Sequence, residues 1–261
     1  MEITKPRIVW DMSLLNNFLF PLIVSFLGLN FALQYQACNS KKSDRKREIQ
    51  YLHSLKADLV SDLKSLDRIL TEISVTTDGL DTALEQMQKP MTTTEKVKLN
   101  YILIMKYDWF PSKVNFNEGT ISQLKSTGGL TLITDSELAD SISVYDVGIR
   151  QCHKDIDIVL DSYKETFTTQ KYVYNYRDRL IFQIKMNVEN SNELRKYSND
   201  TLVKTMDNNI KMLTDDKNKI VACYNDFANY QASLELYYKS LLRQKQITVN
   251  LLSLLKKKEN I

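Results

Sequence analysis

The chain has 261 residues, 43% hydrophobic and 26% charged, enough to bury a core in one or two domains without disulfide or metal staples. Only 6 glycines and 4 prolines occur, and the 113 residues after Gly148 contain neither, which argues against sandwiches, barrels and glycine-looped nucleotide folds and for an all-α protein. The 35 basic and 32 acidic residues nearly balance at +3, so no overall attraction to nucleic acid is expected.

Residues 1–11 read as an N-terminal tail and 12–40 as a membrane anchor. No Asp, Glu, Lys, Arg or His occurs from Met12 to Ser40. The apolar heart runs from Phe18 to Leu33 and includes Leu22, Ile23, Val24, Phe26, Leu27, Leu29 and Phe31. As a helix those sixteen residues rise about 24 Å, and Leu14 to Ala37 about 36 Å, against a hydrocarbon thickness of ~30 Å. Trp10 and Tyr35 sit where interfacial aromatics are expected. Gly28 and Ala32 have small-xxx-small spacing, which suits a partner helix; a monomeric anchor tolerating its polar residues is the other reading.

Two further readings stay open at Cys38. Ala37 fits a signal-peptidase site, whereas Tyr35 does not. A lipoprotein processed at Cys38, followed by the polar run Asn39-Ser40-Lys41-Lys42-Ser43-Asp44, would place the domain in the periplasm or on the surface. The odd count of three cysteines, Cys38, Cys152 and Cys223, argues against a secreted disulfide framework. Charge sets the expected orientation. Lys5 and Arg7 precede the anchor, while Lys41, Lys42, Arg45, Lys46 and Arg47 follow it, so the positive-inside rule places the large domain in the cytoplasm of a bacterial inner-membrane protein.

Residues 41–258 read as one helical bundle. A long rod, 41–89, carries Ile, Leu or Met at nearly every position of a 3–4 seam from 49 to 87, with Leu52, Leu59, Leu63, Leu66, Leu70 and Ile73 at its centre. Such a rod spans about 70 Å. Middle helices fill 92–199. Thr92 with Glu95 and Thr134 with Glu137 have capping-box spacing. Trp109-Phe110-Pro111 reads as a break and Gly128-Gly129 as a left-handed cap. Leu138, Ile142, Tyr145, Ile149, Ile156 and Leu160 mark a long helix. The alternation of Tyr172, Tyr174 and Tyr176 has strand period, but a lone strand has no partner, so a distorted helix or helical turn is expected. A last long helix, 216–258, carries a second seam including Phe227, Leu234, Leu241 and Leu251 and ends in Lys256, Lys257 and Lys258. If the two seams bury each other antiparallel, those lysines join Lys41 to Arg47 in a basic collar for anionic lipid headgroups.

Three stretches together resemble a family of single-pass membrane proteins of undefined function found mainly in Bacteroidota. They are Gly28-x-x-x-Ala32-Leu33-Gln34, Tyr51-Leu52-x-x-Leu55-x-x-Asp58-Leu59-x-x-Asp62, and Thr120-Ile121-x-x-Leu124-Lys125-Ser126-x-Gly128-x-Leu130-x-Leu132-Ile133. The likeness spans the anchor, the first rod and the middle, and is weaker after about residue 165. Members usually carry an Asn-Asn-Trp-Asn-like run after Ala-Leu-Gln; here Cys38 stands where the Trp is usual, which leaves the lipoprotein reading open. The resemblance implies an anchor and a helical domain, with no catalytic or binding residues to carry over.

Chemistry-bearing groups are sparse. Cys152 and His153 are adjacent, so on a helix they point about 100° apart and suit one metal ion poorly. His53 lies off the seam. Two histidines in unrelated segments nominate no nucleophile set, and no glycine-rich phosphate loop exists. Tyr172, Tyr174, Tyr176, Arg177 and Arg179 have a stacking-plus-cation flavour, for which a packed helix face is the simpler reading. The expectation is a membrane-anchored interaction or scaffolding protein without cofactor, metal or enzymatic activity, whose partners are the membrane and a protein or a second copy of itself. The alternative is a tethered sensor holding a small ligand in an aromatic-rich bundle.

Overall fold

The computed structural model describes residues 20–108, 112–188 and 191–259, and every element among them is helical. The expected N-terminal tail with Lys5, Arg7 and Trp10, the first part of the anchor (12–19, with Phe18), and the break at Trp109-Phe110-Pro111 lie outside the described residues. In chain order the elements are α1 (Phe20–Met87), α2 (Thr94–Tyr107), α3 (Gly119–Ser126), a 3-10 turn (Gly129–Leu132), α4 (Ser136–Val173), α5 (Tyr176–Met186), α6 (Ser191–Arg195), α7 (Asn199–Thr205) and α8 (Lys217–Glu259).

The apolar segment and the rod are one uninterrupted helix of 68 residues, about 100 Å long. Beyond Pro21 no proline occurs before Pro90. The helix stops three residues short of Pro90, the next residue that cannot continue it.

Side-chain bonds between helices set their directions. Asp67 and Asp81 of α1, and Gln88 just beyond its end, meet Lys245, Gln231 and Tyr224 of α8, at 2.7, 2.6 and 2.7 Å, so numbers rise along one helix as they fall along the other. The same holds for α4 and α8: Asp135, Cys152 and Thr169 meet Lys258, Ser240 and Asp226. Thr134 on Glu48 and Tyr145 on Asp62 place α4 parallel to α1. The three long helices therefore form a bundle with α8 antiparallel to the other two.

The local signals were partly displaced by packing. Helix α2 is capped by Thr93, whose hydroxyl accepts from the Lys96 N–H, one residue later than the Thr92 box predicts. At α4 the cap is Asp135, accepting from the Leu138 N–H, because Thr134 is drawn to Glu48 by both its N–H (3.1 Å) and its hydroxyl (3.4 Å). Gly128 does take the left-handed conformation (φ 67°) that opens the 3-10 turn. Tyr172 and Tyr176 are exposed and Tyr174 is 5% exposed. That alternation comes from a short extended break between α4 and α5, capped by Asn175, and not from a strand.

The seam of α8 is buried as spaced: Phe227, Leu234, Leu241 and Leu251 are each at most 1% exposed. On α1 the buried face differs from the predicted seam. Leu59, Leu66, Leu70 and Ile73 are buried, but Ile49 is exposed and Leu52 and Leu63 are only half-buried, while Leu55, Asp62, Ile69 and Thr76 are buried in their place. A strict seven-residue repeat walks about 20° per heptad around a straight helix, so one stripe cannot stay on one partner for the length of the rod. In α4 it is Val159, not Leu160, that is fully buried.

Helix α2 is apolar nearly all round (Ile102, Leu103, Ile104, Met105), and the fold buries it all round. Its position against α1 is close at Gly79, where a Cβ would overlap the Tyr107 ring. Its other side is wrapped by residues 191–213: Tyr101 donates to the Lys211 carbonyl (3.0 Å), and the Arg195 guanidinium to the Lys106 carbonyl (2.9 Å).

Candidate functional site

Two regions stand apart from ordinary core. The first is the start of α1. From Phe20 to Leu33 the nine large apolar side chains are between 51% and 71% exposed. Successive residues of a helix turn by 100°, so the nine large apolar side chains cover roughly 220° of its circumference, and the remaining arc carries the small Pro21, Ser25, Gly28 and Ala32. Asn30 sits within it, and its amide donates to the Phe26 carbonyl at 2.8 Å, so the polar group is satisfied by its own helix. Gly28 has nothing within reach of a Cβ. The cores of the bundle begin only at Leu55. By hydropathy, among the described residues no helix is long and apolar enough to cross a membrane. The described part of the segment starts at Phe20, two residues inside the apolar run.

The basic flank follows. Lys41, Lys42 and Lys46 are exposed; Arg45 binds Glu48 at 2.6 Å and Arg47 reaches Asp44 at 3.6 Å. At the other end of the chain Lys256 and Lys257 are exposed, whereas Lys258 is committed to Asp135, the α4 cap. That hydrogen bond holds the Asp135 carboxyl below its ordinary value and the Lys258 ammonium above its own. Of the predicted headgroup set, Lys258 is drawn onto Asp135 by the packing of α8 against α4, whereas Arg45, its side chain 64% exposed, pairs with Glu48 on its own helix. The antiparallel α8 does bring its C-terminal lysines to the end of the bundle from which α1 emerges. There Arg45, Glu48, Leu52, Thr134, Leu138 and Lys258 border a cavity of about 620 Å³ with His53 at its edge.

The second region is buried polarity inside the bundle. Asp62 is fully buried and accepts from the Asn117 N–H (2.9 Å), the Asn117 amide (2.7 Å) and the Tyr145 hydroxyl. One turn away Asp58 accepts from Thr120 at 2.5 Å. These bonds pin the loop before α3 onto α1. Burial pushes the Asp62 carboxyl up, and its donors only partly offset that; burial and the neighbouring carboxylate push the Tyr145 hydroxyl up. Further along, Asp108 is fully buried against Arg179 (3.0 Å) and Gln170 (2.7 Å), with its carboxyl raised by burial. Lys98 and Lys106 are 4% exposed, their ammonium groups held by Asn208 (2.6 Å) and the Val203 carbonyl, and by Asn199 (2.7 Å) and the Tyr197 carbonyl (2.8 Å).

Neither buried cysteine is poised as a nucleophile. Burial pushes the Cys152 thiol up to about 11 and Cys223 up to about 12, away from the reactive thiolate. His153 is 3.6 Å from Glu118 on the surface, and among the described residues no three His, Cys, Asp or Glu converge as a metal site. Nor do the aromatics enclose a ligand chamber. Tyr101 and Tyr174 pack edge to face at 4.9 Å, and the cavity they border with Phe167 and Arg179 is about 80 Å³, below the roughly 300–1,000 Å³ typical of small-molecule sites. Of the Tyr/Arg cluster, Arg179 is turned inward onto Asp108 and Tyr174 donates to Asn100, while Tyr172 and Tyr176 stay outside.

Sequence reasoning missed Lys98, Lys106 and Asp62. Charged residues on helices are ordinarily solvated, and only Asp62's place between the seam residues Leu59 and Leu63 hinted at burial. No protein-family model, curated protein or solved structure matches the chain.

Proposed function

We propose that this is a single-pass membrane protein in which α1 is both anchor and first rod of a helical docking or scaffolding domain, with no enzymatic role. What carries the reading is the stretch from Phe20 to Leu33: nine large apolar side chains, exposed over most of the helix surface and outside the bundle. Left in water they forgo roughly 1 kcal/mol or more apiece; a bilayer removes that cost. The two exposed cation groups, Lys41, Lys42 and Lys46 with Lys256 and Lys257, favour a cytoplasmic domain resting near anionic headgroups. A protein partner, or a second copy of the chain, is the expected binding target.

The test is fractionation of the full-length chain. It should sediment with membranes, resist high salt and alkaline washing, and keep its N-terminal residues. A chain recovered in the soluble fraction would overturn the anchor, and a mature lipid-bearing N-terminus at Cys38 would replace it with a lipoprotein.

A further inference from the structure

The apolar core of the bundle is two clusters, not one. On the side where α1 emerges, Leu55 and Leu59 pack with Leu138, Ile142, Ile149, Leu251 and Leu255. On the far side, Leu66 to Met87 pack with α2, Cys152 to Val173 and Cys223 to Leu241. Among the described residues, the half-buried Phe116 packs on both, and no fully buried aliphatic side chain belongs to both.

Polar groups of the three long helices meet at the edge of the α1-emergent cluster, to which the Tyr145 ring and Ile149 themselves belong, next to the far one. α1 contributes Asp62, bound to Tyr145 and Asn117. α8 contributes Gln244 and Thr248, 1% and 0% exposed. Gln244 donates to the Tyr145 carbonyl at 3.2 Å, its own backbone carbonyl accepts from the Thr248 hydroxyl at 2.7 Å, and its side-chain oxygen has no hydrogen-bond partner. α4 contributes Gly148, where any Cβ would overlap the Gln244 amide.

Cooperative unfolding is transmitted through contiguous apolar packing, and segments joined mainly by polar contacts open as separate units. A buried layer with an unsatisfied amide oxygen also regains hydration when it opens to water, which lowers the cost of opening there. We propose that the layer formed by Asp62, Tyr145, Gln244 and Thr248 is a break built into the bundle, at which the α1-emergent third opens and recloses independently of the rest. In the open state the first turns of α4 and the last turns of α8 leave α1, exposing Leu138, Ile142, Leu251 and Leu255 to solvent while the far cluster stays folded. The break stands whether or not Phe20–Leu33 lies in a bilayer.

The test is hydrogen exchange of the full-length chain in mild detergent, followed peptide by peptide. Amides of Leu138–Ile149 and Ile247–Leu255 should exchange as one group, at least about tenfold faster than those of Cys223–Leu241. Ile142→Ala should accelerate only the first group. Gln244→Leu, which joins the two clusters with an aliphatic side chain, should slow the first group and shrink the difference severalfold. Equal protection of both groups in the unmodified chain, or equal acceleration of both by Ile142→Ala, would overturn the proposal, and neither readout depends on whether Gln244→Leu folds.

Discussion

Gly79→Ala gives the sharpest check on the packing of α2 against α1. By helix propensity alone the change should stabilise the interior of α1 by about 1 kcal/mol. The new Cβ, however, falls on the Tyr107 ring, overlapping three of its carbons. That ring packs on the far cluster and lies 5.2 Å beneath the Arg195 guanidinium, which also bonds Thr76 one turn earlier on α1. Moving it forgoes part of an aromatic burial worth ~1.5–3 kcal/mol and a cation–π contact of about 0.5–1 kcal/mol. The net expectation is a loss of roughly 1–2 kcal/mol, read as a lower urea midpoint with an unchanged slope. In a Tyr107→Ala background the obstacle is gone, and Gly79→Ala should then stabilise. Equal effects of Gly79→Ala in the two backgrounds would refute the contact.

Asp62 has a carboxyl raised by burial, so the folded state binds its proton more tightly than the unfolded one; the stability it contributes is present at low pH and is lost as pH rises through the folded value. Asp62→Asn should therefore match or exceed the parent in stability near neutral pH and lose that advantage near pH ~4, which paired denaturation curves would show. Lys106→Met should cost about 1–3 kcal/mol, because the Tyr197 carbonyl and Asn199 lose their buried donor; limited proteolysis should then cut first within 191–213. With the native cysteines removed, Leu59→Cys and Leu251→Cys should crosslink within one chain, since both pack in the same cluster and the Asp67–Lys245 and Asp81–Gln231 contacts set them at nearly the same level, whereas Leu84→Cys with Leu251→Cys should not. Replacing Lys41, Lys42, Arg45, Lys46 and Arg47 by Gln should weaken the cytoplasmic signal of a reporter fused after Ile261; an unchanged signal would remove the charge argument for topology.

The helical class, the long last helix and its buried seam were legible in the sequence by itself. They depend on spacing, on the near absence of glycine and proline, and on residues within a turn or two of one another, all of which are local properties. The exposed apolar start of α1 was legible for the same reason. The tertiary structure decided which face of α1 is inside: α3 and α4 approach it near Asp58 and Asp62, α2 near Gly79, and α8 along its length, so burial spreads over a wider arc than one seam. It also decided that Thr134 serves Glu48 while Asp135 caps α4, that Lys258 is committed to that cap, and that Lys98 and Lys106 are buried. The partners that decide Thr134, Lys258, Lys106 and Lys98 lie 86 residues or more away in sequence, where a local pattern carries no record of them. Burial is a property of what arrives from elsewhere in the chain, and that is why charge and spacing alone left these positions on the surface.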